Sequence, residues 1–195
     1  LLQLQQIPEA EWRCEQGDAE GAEGSSDEPT HRFSVCEQDA ADVVGGLARV
    51  LWVARPQCLP SFSTLRLSSS DHLGRRDDRA QAEVMGADGE PTVFSRSIGA
   101  VLCLSKDWQP AFGAQFVDFA AARKQPHHIT LAFNTLLVFE IPRVYAVSRL
   151  GADAPPLFAV HGWWMTEGEL YSMSDTDTDE DEDEDGQMRS GPAAG

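Results

Sequence analysis

The chain has 195 residues, 42% of them hydrophobic, which is enough for one packed domain with tails. No run approaches the ~18 apolar residues of a membrane-spanning helix, so an integral helical membrane protein is excluded. Fifteen Lys and Arg stand against 32 Asp and Glu, a net charge of −17, and that balance argues against a direct nucleic-acid binder, which must neutralise phosphates.

The acidity is concentrated at the ends. Residues 1–31 carry eight acids and one base, and residues 175–185 carry nine acids and no base, whereas residues 32–174 come to a net of −2. The expected organisation is therefore an acidic, mostly disordered segment over 1–31, a globular domain over 32–170 and an acidic disordered tail over 171–195. Within the first segment, residues 1–12 read as a short helix or strand, and residues 17–30, rich in Gly, Glu, Ala and Ser, as disorder or a long loop. Four cysteines, Cys14, Cys36, Cys58 and Cys103, show no zinc-like spacing and read as reduced thiols, with Cys103 in a strand core. Reduced thiols point to an intracellular compartment, cytoplasm or nucleus. An organelle stays open, because the first residue is Leu1 rather than Met.

Along the domain, residues 39–52 mix helical spacing with the Gly45-Gly46 break and predict a short helix running into a strand. Residues 62–67 alternate like a strand. Residues 71–91 are polar and Gly-containing, which predicts a surface loop with a small apolar patch at Val84-Met85. Residues 97–104 form an apolar run of strand length, and residues 115–119 alternate again. Residues 128–141 predict two strands around a turn at Phe133-Asn134, and residues 144–150 and 157–165 predict two more. Many short strands at this spacing define a mainly β chain, a jelly roll (double-stranded β-helix) with a few flanking helices.

The order of pieces from Leu67 onward resembles one family. The stretch from Leu67 through Asp71, His72, Gly74 and Arg76 to Asp78 is similar to that family's strand-loop entry. Arg96-Ser97-Ile98, the run to Leu104, and Asp107-Trp108 are similar to its next block. Gly113 to Asp118, Leu131 through Asn134 to Phe139-Glu140, and Leu157 to Gly162-Trp163 follow in the same order. These blocks, about 100 residues in all, resemble the prolyl-hydroxylase-type 2-oxoglutarate/Fe(II) oxygenases, and among them the Tpa/Ofd-like group, which hydroxylates a ribosomal protein.

The resemblance implies a site in which two His and one carboxylate hold Fe(II), with positions left open for 2-oxoglutarate and oxygen. Matched residue by residue, the carboxylate position is kept as Asp78. The two His positions are occupied by Arg76 and Tyr145. Leu157 stands where an Arg would clamp the 2-oxoglutarate carboxylate, and Cys103 stands where a pocket Tyr would be. Two of three metal ligands and the co-substrate cation are thus replaced together.

Two functions follow as expectations. The first is a catalytically inactive oxygenase-fold protein, with no cofactor, that binds proteins or serves as an assembly subunit. The alternative is an active Fe(II)/2-oxoglutarate dioxygenase of prolyl-hydroxylase type acting on a protein, with metal held by Asp78 and relocated histidines drawn from His72, His127, His128 and His161. Those histidines also read simply as surface or packing residues. Arg76 next to Asp78 reads either as an ion pair filling the metal position or, with Arg75 and Arg79, as solvent-facing charge. The acidic tail reads as a solubility tag or as a counter-charge for basic or ribosome-associated partners. Ser172, Ser174, Thr176 and Thr178 each precede an acid by three residues, the pattern of acidophilic phosphorylation. Trp163 and Trp164, adjacent on a strand, should face opposite sides, the outward ring being a candidate contact surface.

Overall fold

A computed structural model describes residues 5, 7–17, 31–36, 58–119 and 125–173. Eleven strands lie within them: β1 (Arg13–Gly17), β2 (His31–Cys36), β3 (Leu59–Leu67), β4 (His72–Arg76), β5 (Gln81–Met85), β6 (Pro91–Cys103), β7 (Phe116–Asp118), β8 (His127–Ile129), β9 (Leu136–Glu140), β10 (Tyr145–Val147) and β11 (Leu157–Glu167). Short 3-10 turns occur at Glu9–Glu11 and Pro110–Phe112.

Every pairing is antiparallel, and β2 joins two groups of strands. Its C-terminal half pairs with β3, followed by β11 and β6. Its N-terminal half pairs with β4, followed by β10, β7 and β8. The core fills the space between these groups. Leu67, Val101, Leu157 and Ala159 from the first group meet Phe116 and Tyr145 from the second. Phe116 and Tyr145 stack with ring centroids 4.7 Å apart, and Phe139 closes on Tyr145 at 5.0 Å. This is the jelly roll that the strand spacing predicts.

β11 is buried on both faces over its first half, which explains why it reads as a continuous apolar run. Leu157 and Ala159 point into the core, while Phe158 packs outward against Ile7 and Trp12. Arg66 holds that N-terminal segment in place: it makes two 2.6 Å hydrogen bonds to Glu9 and lies over the Trp12 ring at 4.7 Å. Gly162 has a steric reason: a Cβ there would lie 2.2 Å from the Ser61 carbonyl oxygen on β3.

Several expectations need correction. Residues 71–91 are not a loop, because they contain β4 and β5. β5 is exposed at four of its five positions since it adds only to the β6 arm, where backbone pairing rather than burial holds it. Residues 13–17, inside the segment expected to be mostly disordered, form β1 on the edge of β2. The predicted strands around Asn134 are present as β8 and β9, and Asn134 itself has φ 58°, the left-handed conformation of a turn. They do not pair with each other: β8 joins β7 and β9 joins β6. Trp164 is not an exposed contact ring, for it is buried against Phe62 at 4.6 Å. Cys14, Cys58 and Cys103 are free thiols, with Cys103 fully buried on β6. The helix expected over 39–52, the stretch 18–30 and the acidic tail from residue 174 lie outside the described residues.

Candidate functional site

A cavity of about 670 Å³ opens between the two strand groups. Its walls include Arg76 from β4, Arg96 from β6, Tyr145 from β10, and Leu157, His161 and Trp163 from β11. β11 contributes three of these because alternate residues share one face of a strand.

Asp78 lies just beyond the end of β4, 3% exposed, with φ 58°. A non-glycine residue in this conformation is held there by its surroundings. Here they are three donors. Arg76 Nε donates to Oδ1, Tyr145 Oη to Oδ2 at 2.6 Å, and Trp163 Nε1 to Oδ2 at 2.9 Å. Burial by itself would raise the Asp78 carboxyl. The Arg76 charge, with the hydrogen bonds from Tyr145 and Trp163 and the neighbouring His161, outweighs it and holds the carboxyl below the usual carboxylate range. Asp78 is therefore a carboxylate, bonded on both oxygens. Tyr145 is shifted the other way: burial first, then the adjacent Asp78 charge, raise its hydroxyl, so it stays a neutral donor.

Arg76 and Tyr145 are direct cross-strand partners in the β4–β10 ladder. That single pairing brings together the three positions that the resemblance assigns to metal ligands. Of the neighbouring arginines, Arg79 pairs with Asp77 at 2.6 Å and Arg75 lies over Phe119 at 5.1 Å. The Arg76–Asp78 pair is thus formed, and the solvent-facing alternative does not hold for Arg76. Leu157, 0% exposed, pairs with Leu67 and contributes its side chain to the cavity wall. Cys103 faces the core, its Sγ 3.9 Å from the Ser105 carbonyl, and burial raises its thiol.

The four candidate histidines separate. His72 lies on β4 with its Nδ1 3.3 Å from the Ser70 carbonyl oxygen, and His127 and His128 are exposed on β8. Of these four, His161 lines the cavity and the others do not. Its ring meets Trp163 edge-on at 4.6 Å, and its Nε2 is sealed from solvent with no hydrogen-bond partner. Burial pushes its pKa down to about 4, so it is a neutral imidazole.

Arg96 is the residue whose place the sequence pattern did not reveal. The β6–β11 register runs His161↔Val101 and Trp163↔Gly99, then slips so that Met165 faces Arg96. The slip is a β-bulge at Ser97, whose Oγ donates to the Trp164 carbonyl at 3.0 Å and accepts from Thr166 Oγ1 at 2.7 Å. An extra residue in one strand reverses the face of everything before it. Arg96 is thereby turned to the cavity, with its guanidinium 3.5 Å from the Trp163 ring centroid.

The donor set does not fit Fe(II) held as the resemblance implies. Of the three ligand positions only Asp78 offers an anionic oxygen, since Tyr145 stays a neutral donor, and both Asp78 oxygens are engaged, one by a guanidinium whose charge repels a divalent ion. Among the described residues no cluster of three His, Cys, Asp or Glu side chains is placed to hold a metal. Leu157 offers a 2-oxoglutarate carboxylate no charge.

Two strand groups facing across a cavity, with the site residues on β4, β10 and β11, make a jelly roll, a fold like that of solved prolyl-hydroxylase-type 2-oxoglutarate/Fe(II) oxygenases. Solved structures share it. A prolyl-4-hydroxylase from Pseudomonas putida superposes with a TM-score of 0.54 at 18% identity, covering 70% of this chain and 73% of that one. An oxidoreductase of the 2OG-Fe(II) oxygenase family from Burkholderia pseudomallei gives 0.55 at 13% identity, covering 82% and 74%. At such identities the likeness is one of fold. No family model and no curated protein matches the chain. Among the described residues no helix is long and apolar enough to cross a membrane.

Proposed function

We propose that this chain is a catalytically inactive oxygenase-fold protein that acts by binding other proteins, as a partner or an assembly subunit. The observation that carries the reading is Asp78, the one kept ligand position, closed by Arg76 on one oxygen and by Tyr145 and Trp163 on the other. An ion pair and two neutral donors there replace a metal site with a structural joint. The run of nine acids over residues 175–185 favours a basic partner, by counter-charge and faster encounter, and ribosome-associated proteins are one such class. Phosphorylation at Ser172, exposed on the surface, and at Ser174, Thr176 and Thr178 would deepen that charge.

The second reading, an active dioxygenase acting on a protein, is favoured by one observation. His161 stands in the cavity near Asp78 with an unpartnered Nε2. Anaerobic titration of the full chain with Fe(II) and Mn(II), followed by calorimetry, separates the two. The inactive reading expects no saturable site and no rise in melting temperature on adding 2-oxoglutarate. A micromolar metal site with 2-oxoglutarate turnover would establish the dioxygenase instead.

A further inference from the structure

The charges around the cavity do not cancel. Arg76 is spent on Asp78, and Arg13 and Glu15 at the rim pair with each other at 2.7 Å. Arg96 remains: its guanidinium rests on Trp163, and among the described residues it has no carboxylate partner. His161 meets the same indole edge-on at 4.6 Å, its Nε2 buried and unpartnered. A buried polar atom without a partner is costly and uncommon in a finished core, and His161 is one of the residues that line the cavity. The remaining wall is largely apolar, with Leu65, Leu67, Val101, Leu131 and Leu157. A volume of about 670 Å³ falls in the roughly 300–1,000 Å³ range of small-ligand sites.

We propose that this cavity is a receptor site for a hydrophobic monocarboxylate, whose carboxylate pairs with Arg96 and accepts a hydrogen bond from His161 Nε2, and whose apolar body lies against the leucine lining. The inference rests on the reading that Asp78 holds no metal, since a metal there would change the charge that the ligand must balance. One uncompensated cation matches one negative charge. A dicarboxylate such as 2-oxoglutarate would bury a second charge with no partner, because Arg76 is committed and Leu157 is neutral. His161 serves in the tautomer that carries its proton on Nε2. Trp163 sets the geometry, since it supports the guanidinium, touches the imidazole edge and is itself fixed by its bond to Asp78.

Isothermal titration of the full chain with decanoate, decanol and 2-oxoglutarate tests this. Decanoate should bind with one site per chain, and the other two should bind at least about ten-fold more weakly, as loss of a charged hydrogen bond requires. Arg96→Met keeps an apolar stem over Trp163 and removes the charge, so it should weaken decanoate by about ten-fold or more while leaving decanol unchanged. Arg96→Lys keeps the charge and should retain part of the affinity, which covers the case of an unstable Arg96→Met. Equal binding of decanol and decanoate, unchanged decanoate binding in Arg96→Met, or no decanoate binding at all would overturn the proposal. The metal titration is read separately: decanoate binding together with a tight Fe(II) site defeats the inactive-oxygenase reading and not the carboxylate site, and absence of both defeats only the carboxylate site.

Discussion

Tyr145 Oη donates to Asp78 Oδ2 at 2.6 Å, joining β10 to the end of β4 across 67 residues of sequence. Both groups are almost fully buried, and the carboxylate is ionised. Such a bond contributes more than a neutral one, and its loss leaves an acceptor stranded. Tyr145→Phe keeps the ring stack on Phe116 and deletes only the hydroxyl. It should lower unfolding free energy by about 1.5–3 kcal/mol in urea melts.

Arg76→Ala should cost more than Tyr145→Phe. It removes the charge that offsets burial of Asp78, and breaking a buried pair costs about 3–5 kcal/mol. The Arg76 side chain is 34% exposed, so solvent screening places the expected loss toward the lower end of that range. Urea melts of the two variants side by side give the order. A smaller loss for Arg76→Ala would mean that the hydrogen bonds alone keep Asp78 ionised.

His161 makes stability depend on pH in a window of its own. Its pKa is about 4 in the folded chain against 6.5 ordinarily, so between these values the unfolded chain binds the extra proton. The contribution is complete above about pH 6.5 and is lost on acidification toward pH 4, at about 1.4 kcal/mol per pH unit. Asp78, with its carboxyl lowered, acts in the same sense but only below about pH 4: its stabilisation is present above the unfolded value and lost as pH falls through the folded one. Urea midpoints at pH 7.5 and pH 5 should therefore differ in the parent and converge in His161→Phe.

Gly162→Ala tests the β11–β3 ladder. The added Cβ would meet the Ser61 carbonyl at 2.2 Å and the Phe62 Cα at 2.6 Å, both backbone atoms that cannot yield without parting the strands. A loss of about 1–3 kcal/mol or more is expected from thermal melts. By contrast, Gly89 has open space around a Cβ, and its cost would arise from φ 83° alone.

Rebuilding the metal site is the strictest check on how the joint replaced it. Arg76→His, Tyr145→His and Leu157→Arg together would set two imidazoles beside Asp78 and a cation at the head of β11. Arg76 and Tyr145 are already cross-strand partners, so the backbone should present the new ligands without rearrangement. The triple variant should bind Mn(II) in an anaerobic titration, and each single variant should bind far more weakly.

Much of this molecule was legible in its residues. The strands around Leu67, Cys103, Phe116, Phe139, Tyr145 and Leu157 announced themselves because burial imposes an apolar pattern at strand spacing. The replaced chemistry at Arg76, Tyr145 and Leu157 was also readable, since a guanidinium, a phenol and an isobutyl group differ from imidazole and guanidinium wherever they sit. β4 and β5 were not legible. They are held by backbone pairing to β2, β10 and β6, and a strand that buries little leaves no apolar signature.

The arrangement of the cavity belongs to the tertiary structure alone. Sequence placed Trp163 and Trp164 on opposite faces, but only the packed sheet decided that Trp163 would bond Asp78 and Trp164 would be covered. His161 was one of four candidate histidines, and the β11 register separated it from His72, His127 and His128. Arg96 faces the cavity because one bulged residue at Ser97 reverses the alternation before it. A side chain's type is written in the sequence; the side of the sheet on which it emerges depends on register with a neighbour dozens of residues away, and that is settled only when the strands pair.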